Sequence, residues 1–166
     1  VLMLPAALRL PLLGEVIFMS TYWHVGIGFG GANLFIVDQI KHYDRAFGLP
    51  LVVAGDFNFR VGEMVQSGLP QLLVLSVVAL RSDLGTVVLS SRNIDYFLVS
   101  PSLVPLFGEP YVVPAPIATH RVVAVPFSAP TPEHMVIKRK LARPLGVAPA
   151  FGPWPLQQNW SSTLDR

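Results

Sequence analysis

The sequence predicts a layered α/β (α+β) fold, in which β-strands are mixed with a few helices. Short runs of β-branched and aromatic residues recur along the chain, and such runs are typical of strands. One longer segment has apolar residues at helical spacing. The apolar fraction is 52% and the mean hydropathy is +0.53, so a large apolar surface must be buried in the fold or covered by a partner.

The first predicted elements are a strand and a helix joined by a glycine cluster. Residues 16–23 (VIFMSTYW) favour a strand, and the glycines follow at residues 26–31. Asn33 is placed to cap a helix that runs to about Phe47, where the segment 48–50 (GLP) ends it. The order strand, glycine loop, helix is therefore expected.

The remaining elements are predicted to be shorter. Residues 51–54 are a continuous apolar run, which is typical of a strand buried on both faces. One or two helical turns are expected within residues 62–68. Further strands are predicted at residues 72–80, 86–89, 94–99, 111–113 and 121–125.

The bulk composition excludes several classes of site and segment. Because the chain has no cysteine, it has no disulfide partner, thiolate nucleophile or cysteine-ligated zinc. A reducing compartment is compatible with this composition but does not follow from it; the location favoured here is intracellular, nuclear or cytoplasmic. The apolar opening segment, residues 1–19, contains Arg9, Glu15 and two prolines, and the apolar run 71–80 is too short to span a bilayer. We therefore expect no membrane insertion, and we expect both segments to be buried.

The first segment that carries chemistry is Gly55-Asp56-Phe57-Asn58, directly after the predicted buried strand. Ligands of open α/β sheets lie at the carboxyl ends of strands, which is where Asp56 is expected. A carboxylate there can orient or deprotonate a water, and the amide of Asn58 can contact a phosphate oxygen. An Asp-Asn turn that only closes the strand is the alternative.

The second segment is RNIDYFLVS, residues 92–100, in which Asp95 interrupts an apolar strand. A carboxylate in that position needs a partner that offsets its desolvation, and His120 before the last predicted strand is a candidate. The pair could stabilise charge on a phosphoryl group, or it could be a structural ion pair. His24 and His42 have no companion at ligand spacing, so packing or surface roles are predicted for them.

The glycine segment 26–31 (GIGFGG) supports a different function, since it fits the dinucleotide-binding pattern G-x-G-x-x-G between a strand and a helix. Asp56, at the end of the next strand, would then be the ribose-binding acid. However, the turn from the strand to the glycines is occupied by Trp23-His24-Val25 and does not close tightly, and the acid lies further on than the usual ~20 residues. A glycine loop without a ligand is the preferred interpretation.

Taken together, the segments resemble the endonuclease/exonuclease/phosphatase family, most closely the endonuclease domains of non-LTR retroelements. The motifs occur in order as STY (20–22), a helix, LPLVVAGDFN (49–58), SRNIDYFLVS (91–100) and a histidine before the last strand. The resemblance spans roughly residues 16–127. It implies a four-layer α/β/β/α sandwich, of which this chain would form a part, and a hydrolase that uses Mg²⁺ or Mn²⁺ and acts on nucleic acid, with DNA favoured.

The resemblance also implies a role for each site residue. Asp56 would be the base or water-orienting carboxylate and a metal ligand, and Asn58 a phosphate ligand. Tyr22 would contact the phosphate, while Asp95 and His120 would form the dyad that stabilises the transition state. Only oxygen ligands are offered, and these suit hard cations such as Mg²⁺ and Mn²⁺.

The chain departs from the family pattern at two points. Nothing before residue 16 resembles the family's opening strands with their metal-binding glutamate, and Thr119 stands where an aspartate precedes His120. Residues 1–127 are therefore expected to form an incomplete domain, and the proline-rich residues 128–166 a partly disordered tail. Two functions follow: a phosphodiesterase that nicks DNA by metal-activated water, or a non-catalytic remnant that binds nucleic acid weakly. The sequence leaves the oligomeric state open.

Overall fold

Apolar runs form two β-sheets in the computed structural model, which describes residues 2–81, 85–88, 90–113 and 119–129. Within these residues the strands are β1 (Leu2–Leu10), β2 (Gly14–Tyr22), β3 (Leu51–Asp56), β4 (Ser76–Val78), β5 (Asp95–Val99), β6 (Tyr111–Val113) and β7 (Val122–Ala124). The helices are α1 (Gly31–Phe47), α2 (Val61–Gln66) and α3 (Leu69–Leu72), followed by a 3-10 turn at Val104–Leu106. The predicted α/β class is confirmed.

The larger sheet has five strands in the order β1-β2-β3-β5-β4. β2 and β3 are parallel and α1 connects them, whereas the other neighbouring strands are antiparallel. Because β5 runs against β3, the first residue of β5 lies beside the last residue of β3. The carboxyl ends of β2 and β3 and the start of β5 therefore meet at one edge. The second sheet consists of β6 and β7.

One face of the five-stranded sheet is covered by the helices. α1 contributes Ile36, Val37 and Ile40, which recur at helical spacing and are buried. They join buried side chains from alternate positions of β2, β3 and β5 in one cluster, which also contains Trp23 and Phe57. This helix face forms the main hydrophobic core.

The opposite face carries a smaller buried cluster, formed by Val16, Val52, Val99 and Leu103. Partly buried aromatic side chains extend this cluster. The ring of Phe107 contacts the ring of Phe97 on one side and that of Phe127 on the other, and Phe107 and Phe127 also form an isolated β-bridge. The described residues thus provide a helix layer, a five-stranded sheet and a two-stranded sheet. The complete four-layer sandwich stays a prediction.

Two segments differ from the sequence prediction. β1 lies in the opening segment that we expected to be buried, but Leu4 and Leu8 are 61% and 49% exposed. The reason is that both side chains project from the face opposite the helices, in register with Ser20 and Val16 of β2, and on this edge strand the described residues cover that face little. Of the predicted strand 72–80, only Ser76–Val78 (β4) is a strand. The segment begins with the last residue of α3 and a turn, because Pro70 favours the first turn of a helix.

The ends of the other elements also shift. Of the predicted strand 86–89, the structure describes residues 86–88, and Val87 makes only an isolated bridge with His120. β6 and α2 lie where they were predicted, and β7 is shorter by one residue at each end. The predicted tail falls outside the described residues from residue 130 onward. Among the described helices, none combines the length and apolarity that crossing a membrane requires.

Candidate active site

Three of the predicted site residues lie in one row across the sheet edge. Tyr22 at the end of β2 is in register with Asp56 at the end of β3, and Asp56 is in register with Asp95 at the start of β5. Directly paired residues project from the same face of a sheet. This is the face opposite the helices, because the next positions, Trp23 and Tyr96, belong to the helix-side cluster.

His120 joins this row from the segment before β7. Its Nδ1 lies 2.9 Å from Oδ2 of Asp95, and its Nε2 lies 3.9 Å from Oδ2 of Asp56. The three side chains are 17–32% exposed, so they are accessible from solvent but largely enclosed. The structure therefore brings Asp95 and His120 together, as the sequence predicted, with Asp56 on the other side of the imidazole.

Backbone contacts hold His120 in position from both sides. The carbonyl oxygen of Thr119 accepts a hydrogen bond from the N–H of Val88, and the N–H of Arg121 donates to the carbonyl oxygen of Thr86. The guanidinium of Arg121 also donates to the carbonyl oxygen of Val87. These bonds attach the histidine to the loop before β5, which carries Asp95.

Asp56 is the most enclosed of the three acid and imidazole groups. Burial raises the pKa of its carboxyl group, and the negative charge of Asp95 raises that pKa further. The hydrogen bond that Asn58 N–H donates to Oδ1 (2.9 Å) and the positive charges of His120 and Arg92 act in the opposite direction. Because the rise dominates, Asp56 holds a proton to a higher pH than an ordinary aspartate does.

The apolar members of the GDFN segment fix where Asp56 lies. A Cβ added to Gly55 would come within 1.9 Å of the carbonyl oxygen of Thr21, so only glycine allows β2 to approach β3 this closely. The ring of Phe57 stacks on the ring of Tyr96, with 4.4 Å between centroids, and is fully buried. The glycine and the phenylalanine thus anchor the strand end that presents the carboxylate.

Asn58 turns the chain away from the sheet in a left-handed conformation (φ 53°) that asparagine tolerates better than most residues. Its side-chain amide donates a hydrogen bond of 2.6 Å to the carbonyl oxygen of Trp23. One amide hydrogen therefore links the site to the residue after β2, and the second hydrogen and the amide oxygen have no partner within the described part of the chain, so they are available to a ligand. Its predicted contact with phosphate stays a prediction.

A cavity of about 270 Å³ opens beside these residues. Its walls come from β3, β5 and the segment leading into β7, and its polar lining includes Asp56, Asp95 and His120. Tyr22, which is 45% exposed, stands at the end of the same row. The arrangement offers acid, base and hydrogen-bond donors at an open edge.

The same cluster can hold a metal ion. One ligand atom each from Asp56, Asp95 and His120 lies within 4.8 Å of the others. Nδ1 of His120 is engaged by Asp95 and Oδ1 of Asp56 by Asn58. Among the described residues, the ligand atoms without a hydrogen bond are therefore Nε2 of His120 and one carboxylate oxygen each of Asp56 and Asp95. Oxygen donors suit Mg²⁺, Mn²⁺ or Ca²⁺, and Mg²⁺ commonly binds through one or two carboxylates and several waters. Among the described residues, no glutamate joins this cluster.

In the glycine loop that fits the dinucleotide pattern, backbone groups are hydrogen-bonded by the side chain of Asn33. Asn33 is fully buried; its Oδ1 accepts the N–H of His24 (2.8 Å), and its amide donates to the carbonyl oxygens of His24 (3.0 Å) and Gly28 (2.8 Å). The helix cap is Gly30, so the predicted capping role of Asn33 is wrong. Asn33 uses its amide to close the loop, which disfavours binding of a pyrophosphate there.

Thr86, near the site, supports it in a way that no sequence pattern predicts. It is fully buried, and its Oγ1 accepts hydrogen bonds from the N–H groups of Ile94 (3.0 Å) and Asp95 (3.1 Å). The hydroxyl thereby fixes the start of β5. A threonine in a turn has no sequence pattern that reveals a bond to a backbone group eight or nine residues away.

No family model and no curated protein matches the sequence. The structure is similar to the endonuclease domain of TRAS1, a telomere-specific non-LTR retrotransposon, at a TM-score of 0.63 and 16% identity, over 76% of this chain and 61% of that domain. The chain therefore spans less than two thirds of the retrotransposon domain.

Two bacterial proteins are also similar. The 3'-5' exonuclease NExo from Neisseria meningitidis matches at a TM-score of 0.50 and 15% identity, over 76% of this chain and 71% of that one. The cytolethal distending toxin of Haemophilus ducreyi matches at a TM-score of 0.52 and 15% identity, over 75% of this chain and 52% of that one. At this level of identity, the similarity shows a shared fold.

Proposed function

Because the chain has the fold of endonuclease/exonuclease/phosphatase proteins, we propose that it is a metal-dependent phosphodiesterase that nicks DNA. The observation that carries this proposal is the contact of His120 with Asp95 at 2.9 Å and its approach to Asp56 at 3.9 Å. A base, an imidazole and its orienting carboxylate at one open sheet edge are the groups that hydrolysis of a phosphodiester requires.

Asp56 is the group that orients the attacking water and accepts its proton. It can do so only when deprotonated, and its raised pKa brings it closer to the working pH, where a general base is most effective. The N–H of Asn58 holds one carboxylate oxygen, which leaves Oδ2 for the water. The proposed role thus uses the free oxygen of Asp56 that faces His120.

His120 would donate a hydrogen bond to a non-bridging oxygen of the phosphate. Asp95 fixes the orientation of the imidazole through Nδ1 and favours its cationic form, so Nε2 is directed at the site. Tyr22 and the remaining amide hydrogen of Asn58 would hold the same phosphate from the β2 side. Negative charge that develops on the phosphoryl oxygens is then met by donors that are already in place.

Asp95 would hold a Mg²⁺ or Mn²⁺ ion through the carboxylate oxygen that His120 leaves free, beside Oδ2 of Asp56, since carboxylate oxygens are ligands that these ions prefer. When bound, the ion would supply charge neutralisation and activation of water. The similarity to a retrotransposon endonuclease favours DNA as the substrate. The cell compartment in which this takes place is proposed to be nuclear or cytoplasmic.

The test is nicking of supercoiled plasmid by the full chain with Mg²⁺. Asp56→Ala and His120→Ala should each lower the rate by about 10² to 10³, because each removes a group used in the transition state. Asp38→Ala and His42→Ala, which change the same residue types on the exposed side of α1, are the matched controls. They should leave the rate unchanged.

Two other results would contradict the proposal in different ways. If Asp56→Ala and His120→Ala nick as fast as the wild type, the site lies elsewhere. If the wild type binds DNA but does not nick it at any concentration of Mg²⁺ or Mn²⁺, the chain is the non-catalytic form that the missing acid at Thr119 suggests.

A further inference from the structure

His24 lies two residues beyond Tyr22 in the direction of β2, next to the row formed by Tyr22, Asp56 and Asp95. Trp23 continues the pairing of β2, since its N–H donates to the carbonyl oxygen of Asp56 (2.9 Å). Trp23 is buried on the helix side, and His24 returns to the side of Tyr22. The rings of Tyr22 and His24 confirm this, because they meet edge to face with 6.1 Å between centroids. His24 is therefore the next side chain outward on the catalytic face.

The backbone of His24 is fixed by a buried side chain. Both its N–H and its carbonyl oxygen are bonded to the amide of Asn33, at 2.8 and 3.0 Å. Asn33 is fully buried and also holds Gly28, so it connects His24 to the loop and to the first turn of α1. A buried amide that is fully bonded to backbone groups holds its partners rigidly. An ordinary surface histidine does not need such a support.

The imidazole of His24 is free to bind a ligand. It is partly exposed, and neither ring nitrogen has a hydrogen-bond partner among the described residues. No described carboxylate forms a metal-binding group with it, which disfavours a metal. An imidazole N–H in this position is suited to an anionic oxygen, and two residues along a strand displace it from Tyr22 by about 6.6 Å. This offset is on the scale of one nucleotide step.

We propose that His24 is a further substrate-binding residue, which donates a hydrogen bond to the phosphate adjacent to the scissile phosphate. The proposal rests on the proposed function, since it takes Tyr22 and Asp56 as the position of the scissile group. His24 acts on binding of the DNA strand, whereas Asp56 and His120 act on its hydrolysis. The two roles therefore separate in KM and kcat.

The experiment uses the full chain and short oligonucleotides with one cleavage site. His24→Ala should raise KM about tenfold and leave kcat within twofold, since a hydrogen bond to a charged group is lost before the chemical step. His24→Gln keeps a donor and should restore most of the lost affinity. His42→Ala, on the exposed side of α1, is the control and should change neither constant.

A chemical change of the substrate identifies the phosphate. An oligonucleotide with an uncharged methylphosphonate at the adjacent phosphate, on the 5' or the 3' side, should raise KM for the wild type as much as His24→Ala does. On one of these two substrates, His24→Ala should cause no further loss. The proposal is overturned if, on both substrates, the increase in KM caused by the methylphosphonate and the increase caused by His24→Ala multiply. It is also overturned if His24→Ala leaves KM unchanged.

Binding measured in EDTA separates this proposal from the proposed function. If the wild type does not nick DNA but binds the oligonucleotide, and His24→Ala weakens binding about tenfold, the catalytic function fails and the role of His24 stands. If the wild type nicks DNA and His24→Ala matches it in KM and in binding, the function stands and this inference fails. Thermal unfolding should be equal in both proteins, because Asn33 binds only the backbone of His24.

Discussion

The two faces of the five-stranded sheet differ in what covers them and in what they carry. The helix face buries a cluster of fifteen side chains among the described residues, whereas the opposite face buries four. β3 shows the difference within two residues: Val53 belongs to the larger cluster and Val52 to the smaller one. The candidate active site lies on the thinly covered face. Among the described residues, the helix face therefore buries most of the apolar side chains, and the described part of the other face leaves room for a substrate.

The largest loss of stability is expected at Gly55, because the close approach of β2 and β3 at this residue positions side chains on both faces of the sheet. Gly55→Ala forces a Cβ into the carbonyl oxygen of Thr21, so β2 and β3 must separate. We expect a loss of about 3 kcal/mol in the free energy of unfolding, together with loss of activity. Urea unfolding measures the first and plasmid nicking the second.

Gly62→Ala is the control for this substitution. Gly62 lies in α2, with nothing within 4 Å of the added Cβ, so the variant should be as stable as the wild type or slightly more stable. If the free energy of unfolding of Gly55→Ala lies within about 0.5 kcal/mol of the wild-type value, β2 and β3 do not approach each other as closely as Gly55 implies.

A matched pair of valines sharpens the comparison of the faces. Val53→Ala should cost about 2 kcal/mol and Val52→Ala about 1 kcal/mol, because the cavity left on the helix face is enclosed and the one on the other face can relax or fill with water. The two side chains are equally buried and adjacent in sequence. Equal costs in urea unfolding would mean that the two faces are covered to the same extent.

Asp56→Asn tests whether the buried charge of Asp56, which the proposed function needs, lowers the stability of the folded protein. The pKa of Asp56 is raised in the folded state, mainly by burial, so the folded state binds more protons than the unfolded chain between the two pKa values. The contribution of Asp56 to stability therefore falls as pH rises through that window. We expect the variant to have a higher Tm than the wild type at pH 7 and to be inactive.

The advantage of Asp56→Asn should vanish below pH ~4, where the aspartate is protonated in both states. Tm measured from pH 3 to pH 8 follows this directly. Asp38→Asn, on the exposed side of α1, should show the same Tm as the wild type throughout. A variant that is less stable than the wild type at pH 7 would contradict the raised pKa.

The smallest effect is expected at the sheet edge. Leu4→Lys replaces an exposed side chain on β1 and should change the free energy of unfolding by less than about 0.5 kcal/mol. A loss of several kcal/mol would show instead that another part of the chain covers this strand.

The sequence predicted the centre of the sheet better than its margins. β3 was recognised because it is buried on both faces and therefore continuously apolar, and its end at Asp56 was set by the following turn. β1 has a similar composition but is an edge strand, and composition does not distinguish a buried apolar run from an exposed one. The comparisons confirm the endonuclease/exonuclease/phosphatase resemblance at the level of the fold.

The sequence predicts the ionisable side chains of the candidate site but not the residues whose hydrogen bonds hold them in position. Asp56, Asp95 and His120 were selected because each is a charged or ionisable group beside an apolar strand, and the structure brings all three together. Thr86 and Asn33 act through bonds to backbone groups of distant or looped residues, which depend on the tertiary path of the chain. Such bonds are determined by the tertiary fold and leave no local pattern in the sequence.

The row of Tyr22, Asp56 and Asp95 also has a consequence for folding kinetics. These residues become neighbours only through one parallel pairing and one pairing between strands that are far apart in the chain. Pairings of this kind close large loops, so they form late and slowly. A slip of one residue would turn the carboxylates to the helix face. Recovery of activity during refolding should therefore lag behind the formation of α1, and it would report when the strands reach their final register.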